Sequence, residues 1–159
     1  MDQKLIKKLQ RQIIKLLPAG LQNQPSILLT DSCSELSRLV ANRIKILDKS
    51  SQIFIIKGIR VCGTKKAHDI LAVITVNKEV YIIDPTIWQF FPQAKSILVF
   101  ILDDINIALD KIKTMYGGRW SKNEKFIQLN KNEERKYLDI VSQNIHENLK
   151  QSNLDSNKK

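Results

Sequence analysis

Cysteine and histidine are both scarce in this chain, with two of each among 159 residues. The cysteines, Cys33 and Cys62, make no disulfide framework, and neither stands in Cys-x-x-Cys spacing, which argues against a zinc site or a dithiol redox motif. Free thiols in a reducing compartment are the simpler expectation. Glycine (five) and proline (four) are also few, so there is no Gly-rich phosphate-binding loop and no long low-complexity stretch. Aromatic side chains make up 6% of the chain and carry no RNA-binding signature. The longest apolar run, Ser96 to Leu102, is strand-sized and far short of the roughly 20 residues of a membrane-spanning helix. Charges interrupt the N-terminal stretch Met-Asp-Gln-Lys-Leu-Ile-Lys-Lys, so it predicts no signal peptide.

What the chain does have is basic charge, a net +10, beside a 43% hydrophobic content that suffices for the core of one domain. The charge is segmental. Residues 1–17 carry five basic against one acidic side chain, residues 38–66 eight against one, and residues 111–136 eight against three, whereas residues 67–110 have two against six. Such a split predicts separate faces, and the basic ones suit nucleic acid, anionic lipid or an acidic protein. No nucleic-acid motif accompanies the charge, so nucleic acid ranks behind protein as a partner.

Taken in order, residues 2–17 read as an amphipathic helix, with Leu5, Ile6, Leu9, Ile13, Leu16 and Leu17 opposite Lys4, Lys7, Lys8, Arg11 and Lys15. Pro18 and Gly20 stop it, and residues 18–31 form a linker. A second helix begins at Cys33, where Ser32 and Glu35 fit the capping-box pattern, and runs to about Leu47. Gln52 to Val61 is a strand with a bulge or bend at Gly58, followed by a basic loop from Gly63 to Ala67. His68 opens the next strand, Asn77 and Lys78 mark a turn, and Val80 to Ile83 returns as far as Asp84-Pro85. Thr86 to Phe91 makes a helical turn and Ser96 to Leu102 a further strand. Asp103 or Asp104 caps a helix over Ile105 to Tyr116, ended by Gly117-Gly118. An edge strand at Phe126 to Leu129 and a last helix, Glu133 to Leu149, follow, with Tyr137, Leu138, Val141 and Ile145 as its apolar face. The pattern predicts an α+β fold: N-terminal helices packed on a small antiparallel sheet, C-terminal helices, one domain over residues 1–150 and a disordered tail over 151–159.

Chemistry points to three residues. Cys33 falls in the first turn of a helix, where free backbone N–H groups and the helix dipole favour a thiolate. His68 begins a strand whose partner strand returns Asp84, which supplies a base and its orienting acid. The register matters. A two-residue turn at Asn77-Lys78 sets Leu71 opposite Asp84 and points His68 to the wrong face, so the contact requires a bulge or a longer loop, such as Thr75 to Asn77. Asp69, one residue along, is the weaker orienting candidate. His146 reads as a surface histidine, and Cys62 as a strand-end structural thiol.

The order Cys33, His68, Asp84 resembles the papain-like fold of bacterial papain-fold toxins and glutamine-deamidating effectors. The segment Asp84-Pro85-Thr86-Ile87-Trp88-Gln89-Phe90 is similar to the Asp-(Pro/Ala)-Thr-x-x-Gln-Phe run common among them, and the likeness covers about residues 26–100. The resemblance implies a papain-like cysteine hydrolase that works without a cofactor or metal. Cys33 is then the nucleophile, His68 the general base and acid, and Asp84 the orienting acid. The Cys33 N–H and a side-chain amide from Gln22, Asn23 or Gln24 are candidate oxyanion donors, and Trp88 and Gln89 are candidate substrate contacts. The implied reaction is deamidation of glutamine on a target protein, with peptide cleavage by the same triad as the rival. The implied partners are that target and an immunity protein. The implied location is the producer's cytoplasm, or a target cell reached without a classical signal peptide. The reading of another class is a non-catalytic basic module that binds nucleic acid or protein and in which Cys33 is structural.

Overall fold

Helical periodicity at both ends of the chain encloses a middle third of short, nearly continuous apolar runs, and a computed structural model, which describes residues 1–156, shows the result. Helix α1 (Gln3–Ile14), a single turn α2 (Pro25–Leu28) and α3 (Cys33–Leu47) precede strands β1 (Gln52–Ile59), β2 (Ala67–Ile74), β3 (Val80–Ile83) and β4 (Leu98–Leu102). Helix α4 (Ile105–Tyr116), strand β5 (Arg119–Lys125) and the long helix α5 (Lys131–Ser156) complete it. The fold is α+β. One sheet runs in the order β4-β3-β2-β1-β5, and every neighbouring pair is antiparallel. Among the described residues, no helix is long and apolar enough to cross a membrane.

The apolar runs of β2 and β3 lack alternation because both faces of the sheet are covered. On one face Ile53, Ile55, Leu71, Val73 and Ile83 pack with the apolar stripes of α1 (Ile6, Leu9, Ile13), α3 (Leu36, Val40, Ile44) and α5 (Val141, Ile145). On the other, Ile56, Ile70, Ala72 and Ile82 meet Ala108, Ile112 and Tyr116, a one-turn repeat along α4. Full burial of each such side chain contributes about 1.5–3 kcal/mol, so the central strands anchor the molecule.

Several local features differ from the expectations. Helix α1 ends at Ile14, with Asp2 as its cap. The fifth strand is the charged stretch Arg119–Lys125 rather than Phe126 to Leu129. As an edge strand beside β1 it leaves much of its surface to solvent, so polarity is no bar to it, and Phe126 only closes it with an N–H bond to Ile53 O at 2.7 Å. Asp104 caps α4, and Asn130 forms a reciprocal capping pair with Glu133 at the start of α5. That helix continues to Ser156, into the stretch expected to be tail, and the rest of that stretch, 157–159, lies outside the described residues. Its expected apolar face is half right: Val141 and Ile145 are buried, while Leu138 is 37% exposed.

Gly58 is no bulge, since β1 and β2 pair continuously through it, and the register shift lies between Ile55 and Ile56 on the β5 side. A close approach requires this glycine: the Trp120 indole lies over it, with ring carbons 2.6 Å from where a Cβ would stand. Gly58→Ala must therefore displace a rigid ring rather than a flexible tip. We expect it to lower stability by about 1–3 kcal/mol and to shift the emission of Trp120, measured by denaturant titration and fluorescence; an unchanged midpoint and spectrum would refute the contact.

Candidate active site

The hairpin of β2 and β3 sets the site. Thr75 N–H donates to Glu79 O at 3.0 Å, so the reversal is Val76 to Lys78, with Lys78 in the left-handed region at φ 65°. The loop is longer than the tightest turn, but it is centred one residue later than Thr75 to Asn77. Moving the centre by one residue moves every pairing by two: Leu71 faces Ile83, and the same register carries Asp84 opposite Ile70. His68 and Asp84 thus keep a common face although they are not direct partners, and a diagonal contact joins them.

His68 is wholly buried, and its Nε2 lies 2.8 Å from Asp84 Oδ2. The same carboxylate oxygen accepts the Tyr116 hydroxyl at 2.7 Å, and Oδ1 accepts the Thr86 N–H at 3.0 Å. With other donors on the carboxylate, the hydrogen between ring and acid belongs to Nε2, which leaves Nδ1 as the basic nitrogen in the neutral ring. Nδ1 is buried and has no hydrogen-bond partner. Aromatic rings enclose the imidazole: Phe90 edge-on at 4.8 Å between centroids, Tyr116 stacked at 6.0 Å and Trp120 edge-on at 6.4 Å.

Helix α3 brings Cys33 to the same end of the sheet. Ser37 Oγ donates to Asp69 O at 2.9 Å, which fixes the helix against β2. Four residues back along a helix is about 6 Å, roughly two residues of strand, so Cys33 stands level with Ala67 and His68. Its thiol is near enough to raise the ring's proton affinity by hydrogen bonding and charge, though not in the geometry of a fully formed bond to Nδ1. Burial opposes charging of His68, but the Asp84 carboxylate outweighs it by charge and hydrogen bond. Cys33 adds in the same direction, and the imidazole is pushed up to about 10. Tyr116 is pushed above the ordinary phenol range, first by burial and then by the Asp84 charge, so it remains a donor to that acid.

The start of α3 departs from the capping-box expectation. Ser32 is the cap residue, but its side chain makes no bond to the first turn, and Glu35 Oε2 is buried without a partner. Helix α5 takes Ser32 instead. Asn144 Nδ2 donates to Ser32 Oγ (3.2 Å) and Asp31 O (3.1 Å), and Asn148 Nδ2 donates to Thr30 O (2.8 Å) and Leu28 O (3.1 Å). Two amides one helical turn apart thereby hold the segment that leads into Cys33, including Asp31 at φ 68°. The sequence signal for this contact is a pair of asparagines at i and i+4 on one helix.

The remaining candidates divide. Gln22 and Asn23 are exposed, and Gln22 lines a surface cleft with Gln3, Lys7 and Lys95. Gln24 is the residue before α2. None of the three hydrogen-bonds Cys33, His68 or Asp84 in the described residues. Trp88 is buried and its indole N–H is bound to Ala94 O at 2.9 Å, so that donor is occupied. Gln89 Oε1 is buried without a partner. Asp69 points to the α3 face and pairs with Arg38 at 3.1 Å, so it does not orient His68. Cys62, expected as a strand-end structural thiol, lies in the loop after β1 and is exposed, at φ 51°. Its thiol is pushed up by partial burial of the sulfur and then by the Asp84 charge, which places it near the acid. His146 is on the surface. Among the described residues no group of three His, Cys, Asp or Glu side chains is arranged to hold a metal.

Comparison of the chain with known protein families, with characterised proteins and with solved structures gives no match.

Two outcomes follow from this geometry. His68 binds its proton more tightly folded than unfolded (about 10 against an ordinary value near 6.5), so its contribution to stability is complete below about pH 6.5 and is lost as pH rises through 10. Denaturation midpoints between pH 6 and 11 should therefore fall more steeply for the native chain than for His68→Gln; parallel curves would refute the assignment. Asn148→Ala should cost about 1–3 kcal/mol by freeing two carbonyls and slow alkylation of Cys33 in native conditions. His146→Ala, on the outer side of the same helix, should leave both unchanged.

Proposed function

We propose that the chain is a papain-like cysteine hydrolase of the toxin or effector type, with Cys33, His68 and Asp84 as its triad, and that it deamidates glutamine side chains of a target protein. The observation that carries this reading is the state of His68: a buried ring with one nitrogen bound to a carboxylate and the other unbonded, beside a cysteine at a helix start. A structural histidine in a dry site would have both nitrogens satisfied, because an orphaned buried polar atom costs about 1–3 kcal/mol. The resemblance of the segment after Asp84 to glutamine-deamidating effectors supports the choice of substrate.

The chemistry then follows from the groups present. His68, charged at neutral pH, holds on Nδ1 the proton that Cys33 gives up, and the sulfur anion of this pair attacks the carboxamide carbon. The Cys33 N–H, at a helix start that Ser32 does not cap, donates to the oxyanion. Such a donor lowers the barrier by about 3–4 kcal/mol. The imidazolium returns its proton to the departing nitrogen, ammonia leaves, and a thioester remains. Water, deprotonated by His68, releases glutamate and restores the thiol. Asp84 holds the ring through Nε2 and stabilises its charged form.

Iodoacetamide should label Cys33 much faster than Cys62 at pH 5–6, and His68→Ala should abolish that difference. Incubation with a bacterial or eukaryotic lysate, followed by mass spectrometry, should show a gain of about one dalton at glutamines, absent with Cys33→Ala; the shift is the mass difference of replacing an amide NH2 by OH. New chain termini instead would make the protein a protease. Equal, slow labelling of both thiols would remove the hydrolase reading and leave a binding module.

A further inference from the structure

The cysteine chemistry does not by itself say what brings a glutamine to Cys33, but the sheet end around His68 does carry a recognisable surface. Gly58 pairs with both His68 and Trp120, and the next row outward is Ala67, Ile59 and Arg119. One step further the chain turns through Arg60 and returns at Lys65 and Lys66. Strand residues advance about 3.3 Å each, so these four cations stand within roughly 10 Å of the His68 row. All four are exposed, and no acidic residue occurs between Lys57 and His68.

The loop that carries them is held in shape. Val61 N–H donates to Lys66 O at 3.3 Å, Thr64 Oγ1 donates to Val61 O at 2.7 Å and accepts from Lys66 N at 3.1 Å, and Arg60 is fixed in the left-handed region at φ 57°. None of Arg60, Lys65, Lys66 or Arg119 is in an ion pair among the described residues. Neighbouring acids are committed elsewhere: Asp69 and Glu124 to Arg38, and Asp84 to His68 within the core. A fixed loop with uncompensated like charge carries a standing electrostatic cost, which a ligand of opposite charge relieves.

We propose that Arg60, Lys65, Lys66 and Arg119 form a docking rim for an acidic segment of the protein substrate, so that the glutamines presented to Cys33 are those flanked by Asp and Glu. The proposal rests on the cysteine chemistry above for its consequence, but its binding step does not require turnover. It goes beyond that chemistry in naming the sequence context of the target.

Binding can be read with Cys33→Ala and a fluorescently labelled peptide holding one glutamine among glutamates, by anisotropy at 50 and 200 mM salt. Arg60→Glu with Lys66→Glu should weaken binding roughly tenfold or more and flatten its salt dependence. Lys4→Glu with Lys8→Glu on α1, which changes net charge equally, should have little effect. A peptide with serines in place of the glutamates should bind weakly to all variants. Equal loss from the two double variants would reduce the effect to net charge and overturn the rim. Tighter binding of a single-stranded oligonucleotide of the same charge, lost with the rim variant, would overturn the choice of partner. Because the readout is binding to an inactive variant, failure of the cysteine chemistry would show in the labelling of the native chain and not here.

Discussion

A carboxylate with no exposed surface is the constraint on which this structure turns. Asp84 lies at the end of β3, and burial of its charge is costly unless donors surround it. It has three at short range, each from a different part of the chain: the His68 ring from β2, the Tyr116 hydroxyl from the last residue of α4, and the Thr86 N–H from the turn that follows. That arrangement couples the sheet to the helix on its second face. It also places Tyr116, and through it Trp120, around His68. The tight seat of Trp120 on Gly58 belongs to the same aromatic wall.

The acid and the ring belong to the sheet, whereas the cysteine belongs to the helix layer, so their meeting depends on how α3 is held. Ser37 and Arg38 fix the helix to β2 from one side. The amides of Asn144 and Asn148 hold the preceding segment from the other. Asn144 donates to Ser32 Oγ, which makes no capping bond to the helix start. The last helix thus has a physical reason to bury amides among its apolar contacts: its partners are carbonyl groups left over by a short helix turn and a left-handed residue.

Much of this was legible in the residues. The helices at both ends, the apolar strands between Gln52 and Leu102, and the choice of Cys33, His68 and Asp84 as the residues to watch all come from pattern and spacing, and the structure brings His68 and Asp84 into contact. The register of their hairpin was less accessible, because loop position depends on which residue takes a left-handed conformation, and Lys78 does so without being glycine or asparagine. The strand at Arg119–Lys125 was hidden by its polarity, since an edge strand need not show an apolar face. Gly58 was visible but misread: a glycine within a strand signals either a bulge or a close neighbour, and only the position of Trp120 decides between them.

Backbone strain gathers around the same site. Among the described residues four non-glycine residues have positive φ, and apart from Lys78 in the hairpin loop they are Asp31, two residues before Cys33, and Arg60 and Cys62, in the loop between Gly58 and His68. Each such residue costs on the order of 1 kcal/mol or more and persists only where its surroundings over-determine it. Here they do: α5 holds the carbonyl of Asp31, while the Val61–Lys66 and Thr64 bonds close the loop around Cys62. The two strained segments are far apart in sequence and meet at one end of the sheet, beside an unbonded imidazole nitrogen. Under the proposed chemistry, the two segments pre-organise the Cys33–His68 neighbourhood.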